Sequence, residues 1–597
     1  MWVWVEPIRI VVRCRDDIGR FRVAGPRAAG ACATVIEARG MRRAAVGAGR
    51  AMCLSLLWGT GAAILFGHAY AQVPNAGAAM RDIETSRPDL PPEAAPDLEI
   101  APSGSGVHTP AETGARVFVR GFEIGGNTVF DSAMLEALVS DLAGDALSFA
   151  DLQRATERIS AFYRARGYVL ARAYLPKQEI DDGVVRIEIA EGRYGRIEIQ
   201  NHSRVFDAVV RQPLAALRAG DVVHGPGLER SLLLLDDLAG VGARGTLRPG
   251  DAPGTTDLVV EARRVSPVSG ALEFDNFGDT STGRYRVGGS VDVNAPLRLG
   301  DRLSLRGLVT HERQRYYRAA YQVPVGPAST RVGVGYSSLR YRLAGGFSDL
   351  DASGRASVQT VYVAQPVVRT RHAGLTAQIQ YENKNLHDKY GVFSLHNDKN
   401  VGLWTFGLSG NSQDGWLGGG RNGFSLMFGV GRLRSTDALG ANELTHAIGS
   451  FTKLNLNLQR VQAVGSRFQV YAQVGAQLAS RNLDSSEKFS LGGPYGVRAY
   501  ALGEGSGDQG WQASAELRYL AAPGWQVSTF VDAGAVQLNR HPWTRERNTQ
   551  HMQSVGFGAS WYGSTRQVSL TAALPLGRGG DSPNRAPSVW VQAAQYF

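Results

Sequence analysis

The chain has 597 residues, 43% of them hydrophobic, with 73 glycines and a formal charge of +10. That length leaves room for several domains, and the apolar fraction is too high for a disordered chain. The charge does not point to nucleic acid: residues 1–71 hold ten arginines against four acidic residues, leaving 54 basic and 50 acidic side chains after them, with no basic face or recognition motif.

Residues 41–71 read as a secretory signal. Arg42, Arg43 and Arg50 form a basic start, Cys53–Gly67 an apolar core, and Ala69-Tyr70-Ala71 a small-residue cleavage site. A retained anchor is the competing reading, because residues 51–80 carry no Asp, Glu, Lys or Arg. The Gly59-Thr60-Gly61 break and the cleavage site favour removal. Residues 1–40 precede a second candidate start at Met41. Cys14, Cys32 and Cys53 all lie before the cut, so the mature chain has no thiol, which suits an oxidising compartment and excludes cysteine nucleophiles and cysteine-based metal centres. Cys53 opens the apolar core rather than following it, which argues against a lipoprotein anchor.

Residues 72–114 form an amino-terminal plug or linker region. Ala78–Thr85 has the composition of a short helix. Pro88, Pro91, Pro92, Pro96, Pro102 and Pro110 then predict extended, mobile chain with little to pack. Residues 115–192 read as a small α/β module in the order β-α-α-β-β: strand Val117–Ile124, helices Asp131–Leu142 and Phe149–Arg166, strands Tyr168–Leu175 and Val184–Ile189. In the second helix Leu152, Ala155, Ile159 and Phe162 share a face, and Ser148 with Asp151 nearly matches a capping box. Residues 193–264 repeat the order more loosely, with strand Arg196–Gln200, helices Val205–Leu217 and Leu228–Leu238, and strands Gly242–Leu247 and Asp257–Ala262.

From residue 268 onward the period changes to two. Phe468, Val470, Ala472, Val474, Ala476 and Leu478 fall on one face of a strand, and Arg467, Gln469, Tyr471, Gln473 and Gln477 on the other. Leu454, Leu456 and Leu458 oppose Lys453, Asn455, Asn457 and Gln459. Trp511, Ala513, Ala515, Leu517 and Tyr519 oppose Gln512, Ser514, Glu516 and Arg518. About sixteen such strands are predicted, centred near residues 272, 289, 306, 320, 335, 359, 377, 404, 427, 453, 472, 515, 531, 557, 570 and 593. With a signal segment and an aromatic end at Tyr596-Phe597, the pattern fits a transmembrane β-barrel of about 16 antiparallel strands, oily outside and polar within, preceded by two periplasmic α/β modules. A soluble sandwich is the weaker alternative.

One connection stands out. Residues 481–509 form a long, glycine-rich loop containing Leu491-Gly492-Gly493-Pro494-Tyr495-Gly496-Val497-Arg498-Ala499-Tyr500. In the strand Trp525–Val536, Phe530, Asp532 and Gly534 lie on the lumenal face. A lone lumenal carboxylate is often simply solvated, but a loop folded inward brings Arg498 to Asp532 as a charge-assisted, bidentate pair.

At this point the chain resembles the TpsB transporters of two-partner secretion, the haemolysin-activator (ShlB-type) proteins, over nearly all of its mature length. In that family two POTRA modules precede a 16-stranded barrel, and the arginine of an inward Val-Arg-Gly-Tyr loop contacts the aspartate of a Phe-x-Asp-x-Gly strand. Val497, Arg498, Ala499 and Tyr500, and Phe530, Asp532 and Gly534, occupy those places. Ala499 departs from the family's glycine, at a backbone cost if the position needs φ > 0. In POTRA 1 (115–192), Gly167, Tyr168, Pro176, Gln178, Gly183, Glu191 and Gly192 match the family pattern. In POTRA 2 (193–264), Leu228-Glu229-Arg230 and Asp236-Asp237-Leu238-Ala239-Gly240-Val241 match it. Ala78–Thr85 is the candidate for the family's plug helix, on a poor match.

The resemblance implies a translocation pore of the outer membrane. Its POTRA modules capture an unfolded, secreted TpsA-type passenger, a large β-helical protein once folded, and the barrel exports it without ATP. It implies no cofactor, no enzymatic activity, no nucleic-acid partner, contact with outer-membrane lipids and a monomeric barrel. A BamA-type assembly factor is the alternative, weakened by having only two modules. A barrel hydrolase lacks a Ser/His/Asp setting, and a metal at His387 and His396 beside Asp388 and Asp398 is less plausible than a solvated loop. A passive porin needs no periplasmic modules.

Overall fold

A computed structural model of the chain describes residues 75–85, 97–100, 116–180, 182–436, 445–576 and 586–597, together with two short paired strands, Trp2–Val5 and Ile8–Val11. The expected signal segment lies outside the described residues. The two paired strands belong to one unit and the described residues from 75 onward to another; the following concerns the second.

In POTRA 1 the helix Phe149–Ala165 starts on a complete capping box. Ser148 Oγ accepts from Asp151 N at 3.3 Å and Asp151 Oδ2 accepts from Ser148 N at 2.9 Å, a cap worth about 1 kcal/mol. Leu152, Ala155, Ile159 and Tyr163 make the buried stripe. It packs on a sheet in which Val184–Ala190 lies between Gly121–Gly125, parallel to it, and Arg172–Tyr174, antiparallel. Three predicted elements are shorter than expected. The first strand breaks after Val117–Phe118, because Arg120 N and Gly121 N both turn to Gly183 O. The helix from residue 131 stops at Ala137, since Val139 leaves helical geometry at φ −124°, ψ 5° before a 3-10 turn over Ser140–Leu142. Gly167 at φ 91° starts a turn that holds Tyr168 and Ala171, so the next strand begins at Arg172.

In POTRA 2 the helix Gly225–Asp236 buries Leu228, Leu232 and Leu235 against strands Arg193–Asn201, Val241–Pro249 and Thr255–Arg264. The predicted helix over 205–217 shrinks to Asp207–Val210: Pro213 has no N–H to continue the ladder and disfavours helix in the residue before it. The linker also departs from expectation. Asp97–Ile100 is not loose chain but a fourth strand, parallel to Val241–Pro249, with Arg244 opposite Asp97 and Leu247 opposite Ile100. An open sheet edge offers a row of unpaired N–H and C=O groups, and the extended linker fills it.

Among the described residues, sixteen strands from Val268–Asp275 to Ser588–Tyr596 close into a barrel, each antiparallel to its sequence neighbours, with the first paired to the last. All sixteen predicted centres fall inside observed strands. The alternation is the one expected for lipid outside: on Phe468–Ala479, Phe468, Val470, Val474 and Leu478 are exposed while Gln477 is 2% exposed. Outer aromatic side chains pair across strands, as Tyr381 with Trp404 and Phe468 with Tyr519, each with centroids 5.0 Å apart. No described helix is long and apolar enough to cross a membrane. POTRA 2 is fixed to the periplasmic rim. Arg369 donates to both Asp237 oxygens at 2.7 and 3.0 Å, and Arg230 donates to Pro366 O and Val367 O at 3.1 and 3.0 Å.

Candidate functional site: an inward loop locked in the barrel lumen

The connection between Phe468–Ala479 and Gln509–Ala522 folds into the barrel as a hairpin, with Phe489–Ser490 paired to Ser506–Gly507. Its apolar side, Leu491, Val497, Ala499 and Tyr500, packs on Phe530, Val536, Met552 and Ala573 of the wall. Two glycines are needed for this approach. A Cβ at Gly496 would lie 1.9 Å from Leu491 O, and one at Gly534 would lie 2.6 Å from Leu491 Cδ2.

Arg498 sits at the centre. Its Nε and Nη2 donate to the two Asp532 oxygens at 3.0 and 2.8 Å, and its main-chain N also donates to Asp532 at 3.1 Å. Nη1 donates to Glu516 at 3.0 Å and Nη2 to Ser514 Oγ at 3.0 Å. The guanidinium lies over the Phe530 ring, 3.2 Å from its centroid. Asp532 also accepts from Ser514 Oγ and Ser554 Oγ, each at 2.8 Å. Arg518 holds the other Glu516 oxygen at 3.0 Å, so two arginines and two carboxylates share the cluster and no buried charge stands alone. The wall reaches back to the loop's main chain: Trp590 Nε1 donates to Arg498 O at 2.7 Å and Ser588 Oγ to Ala499 O at 2.8 Å. The left-handed positions of the loop are Gly493, Gly503 and Gly505. Ala499 is not among them, so its methyl group brings no backbone strain.

Further ion pairs hold the base of the loop. Asp484 meets Lys399 at 2.7 Å, Glu487 meets Lys384 at 2.9 Å and Lys453 at 2.8 Å, and Asp508 meets Lys488 at 3.1 Å. The helix Ala76–Thr85 also lies in the lumen. Ala76, Met80 and Ile83 pack against Leu308, Leu339 and Leu386 of the wall. Ala76 N donates to Asp388 at 2.8 Å, Ser337 Oγ donates to Glu84 at 3.0 Å, and Arg81 Nη1 reaches Ser485 O and Ser506 Oγ of the loop at 3.0 and 2.9 Å. A cavity of about 550 Å³ lies near the periplasmic ends of the strands; its lining includes Thr376, Asn411, Asn457 and Gln459 with the charged side chains of Asp237, Arg331 and Arg369.

Of the residues singled out in the sequence, the structure brings Arg498, Phe530 and Asp532 together and places Val497, Tyr500 and Gly534 in the same packing. Ser514 and Glu516 were legible only as members of a polar strand face. Ser554, Ser588 and Trp590 carry no signal beyond alternation, because their partner arrives from a loop distant in sequence. The POTRA 1 positions build the module. Glu191, 4% exposed, accepts from Thr128 N at 2.7 Å, Val129 N at 2.9 Å and Tyr163 OH at 3.0 Å. Burial pushes its carboxyl upward, but these hydrogen bonds outweigh burial and hold it below the ordinary range. Gly167, Gly183 and Gly192 all have positive φ. Gln178 exchanges two hydrogen bonds of 2.7 Å with the Arg186 main chain. Tyr168 packs against His224 at 5.1 Å across the joint between the modules, and Pro176 follows the edge strand Arg172–Tyr174. His387 is paired to Asp398 at 2.7 Å, and among the described residues no group of three His, Cys, Asp or Glu side chains is placed to hold a metal.

Comparison with known proteins agrees with this architecture. Residues 254–561 match the family described as haemolysin secretion/activation protein ShlB/FhaC/HecB, and residues 117–192 match the ShlB-type POTRA domain. The heme/hemopexin transporter protein HuxB of Haemophilus influenzae (strain 86-028NP) is 28% identical over 550 residues, covering 88% of this chain and 95% of that one. The outer membrane transporter CdiB of Escherichia coli O6:K15:H31 is 24% identical, covering 81% and 83%. The solved structure of CdiB from Escherichia coli shares the fold, with a TM-score of 0.67 at 20% identity over 83% of this chain and 93% of that one. CdiB from Acinetobacter baumannii gives a TM-score of 0.63 at 17% identity, covering 88% and 100%. The chain therefore belongs to the ShlB/FhaC/HecB family of haemolysin secretion/activation proteins, outer-membrane transporters of the TpsB type with periplasmic POTRA modules.

Proposed function

We propose that the protein exports one secreted partner, a TpsA-type passenger, through its barrel. The passenger is large, β-helical when folded, and unfolded in transit. The observation that carries this reading is the occupied lumen. The Arg498–Asp532 loop and the helix Ala76–Thr85 occupy its interior, while Asp237 of POTRA 2 and Arg369 of the barrel rim share the lining of a cavity with Asn411, Asn457 and Gln459. Transport of secreted partners by relatives named as heme/hemopexin and hemolysin transporters agrees with it.

Capture begins at POTRA 1 by strand addition. Among the described residues Arg172–Tyr174 is a terminal strand of its sheet, whereas the Val241–Pro249 edge of POTRA 2 is covered by Asp97–Ile100. The passenger displaces the plug helix and the loop, and moves outward as an extended chain. Folding outside supplies the direction: a domain stability of about 5–15 kcal/mol opposes return. The sequence holds no P-loop, and ATP has no part in the cycle.

The test is reconstitution. The protein in liposomes, with no nucleotide, is expected to move the unfolded product of the gene beside its own into a protease-protected lumen. Transport that requires ATP, or equal transport of unrelated unfolded chains, contradicts the reading.

A further inference from the structure

The barrel closes on a short ladder. The first and last strands pair from Ala271–Tyr596 to Asp275–Gln592, flanked by main-chain bonds between Gly270 and Phe597 at one end and from Asn276 N to Val591 O at the other, whereas Ala373–Tyr390 pairs along its whole length with residues 395–412. Beyond Gln592 the seam is bridged by a side chain: Asn276 Nδ2 donates to Val589 O at 2.8 Å and Asn276 Oδ1 accepts from Val591 N at 2.8 Å. The inward loop reaches this same stretch. Phe277, on the first-strand side, meets Tyr495 of the loop edge-on with centroids 5.8 Å apart, and meets Trp590 of the last strand at 5.8 Å. Trp590 is 7% exposed, and its indole N–H is spent on Arg498 O.

From this geometry we propose that Trp590 is a positioning residue that couples the loop to barrel closure. Its ring packs across the seam on Phe277, while its N–H fixes the main chain of the residue whose side chain holds Asp532. With the loop seated, Tyr495, Phe277 and Trp590 stitch the two closing strands together outward of their short ladder. With the loop withdrawn, the seam keeps that ladder, its flanking main-chain bonds and the side-chain bonds of Asn276 and Arg284 to Val589 O, and remains the shortest pairing in the wall. The proposal rests on the loop's role in gating but needs no passenger to be tested.

The experiment is hydrogen exchange on the full chain in lipid, without passenger. Trp590→Phe keeps the ring packing and removes the donor. Amides at 271–275 and 592–596 are expected to exchange about fivefold faster, the effect of losing one buried hydrogen bond. The ladder between 420–435 and 449–464 stays unchanged, and Arg498→Ala produces the same local pattern. Trp404→Phe, on the lipid face, has no effect at the seam. If Trp590→Phe fails to fold, Ser588→Ala removes the neighbouring loop contact without touching the ring and carries the same expectation. An unchanged seam in the folded variant, or equal acceleration in every ladder, overturns the proposal. Because no passenger is present, failure of the export reading leaves this result standing, and the reverse.

Discussion

At the scale of single residues, Arg498 is held by more than a salt bridge. It needs a planar fork for Asp532, a spare nitrogen for Glu516 and a flat face for Phe530, and lysine offers none of these together. Arg498→Lys is therefore expected to behave nearly as Arg498→Ala. Each charged hydrogen bond lost is worth about 1.5–3 kcal/mol, so the seated loop population falls by roughly tenfold or more, read as open-channel time in planar bilayers. A charge swap between positions 498 and 532 is not expected to rescue, since an aspartate at 498 faces Glu516. In POTRA 1, Glu191 has a lowered folded pKa, so its contribution to stability is present above the ordinary carboxylate value near ~4.3 and is lost as pH falls through the lower folded value. Glu191→Gln is expected to lower the urea resistance of residues 116–192 at pH 7, and to converge with wild type in strong acid, measured by pulse proteolysis of the whole chain. The sequence exposed Arg498 and Asp532 because both break local pattern: a cation in a glycine-rich loop and a carboxylate on a lumenal face. Trp590 and Ser554 were hidden because nothing within their own strands distinguishes them.

At the scale of elements, strands were legible wherever two solvents meet. Lipid and lumen impose a strict period of two, and the sixteen centres follow from it. Helices in the modules were legible where a cap or a stripe marks them, as at Ser148, and misread where Pro213 or Val139 interrupts the ladder. The strand Asp97–Ile100 could not be read from its own residues, because an edge elsewhere in the chain determines it. The helix Ala76–Thr85 is held in the lumen by apolar contacts of Ala76, Met80 and Ile83 and by a few polar ones, and the proposed export requires these to break. Deleting residues 75–86 is expected to leave a heat-modifiable barrel while raising its conductance and the entry of large antibiotics. Unchanged permeability argues that the loop alone closes the lumen.

At the scale of the whole molecule, a closed barrel gives lipid no unpaired strand edge. Charged, packed groups hold the loop, while the cavity mixes carboxamides and hydroxyls with the charged side chains of Asp237, Arg331 and Arg369. The most direct test of the central claim is secretion of the partner protein by cells carrying Arg498→Ala in a barrel shown to be assembled by heat-modifiability. Normal assembly with export lost is the expected result; normal assembly with export at the wild-type level contradicts a role for the Arg498–Asp532 pair in export.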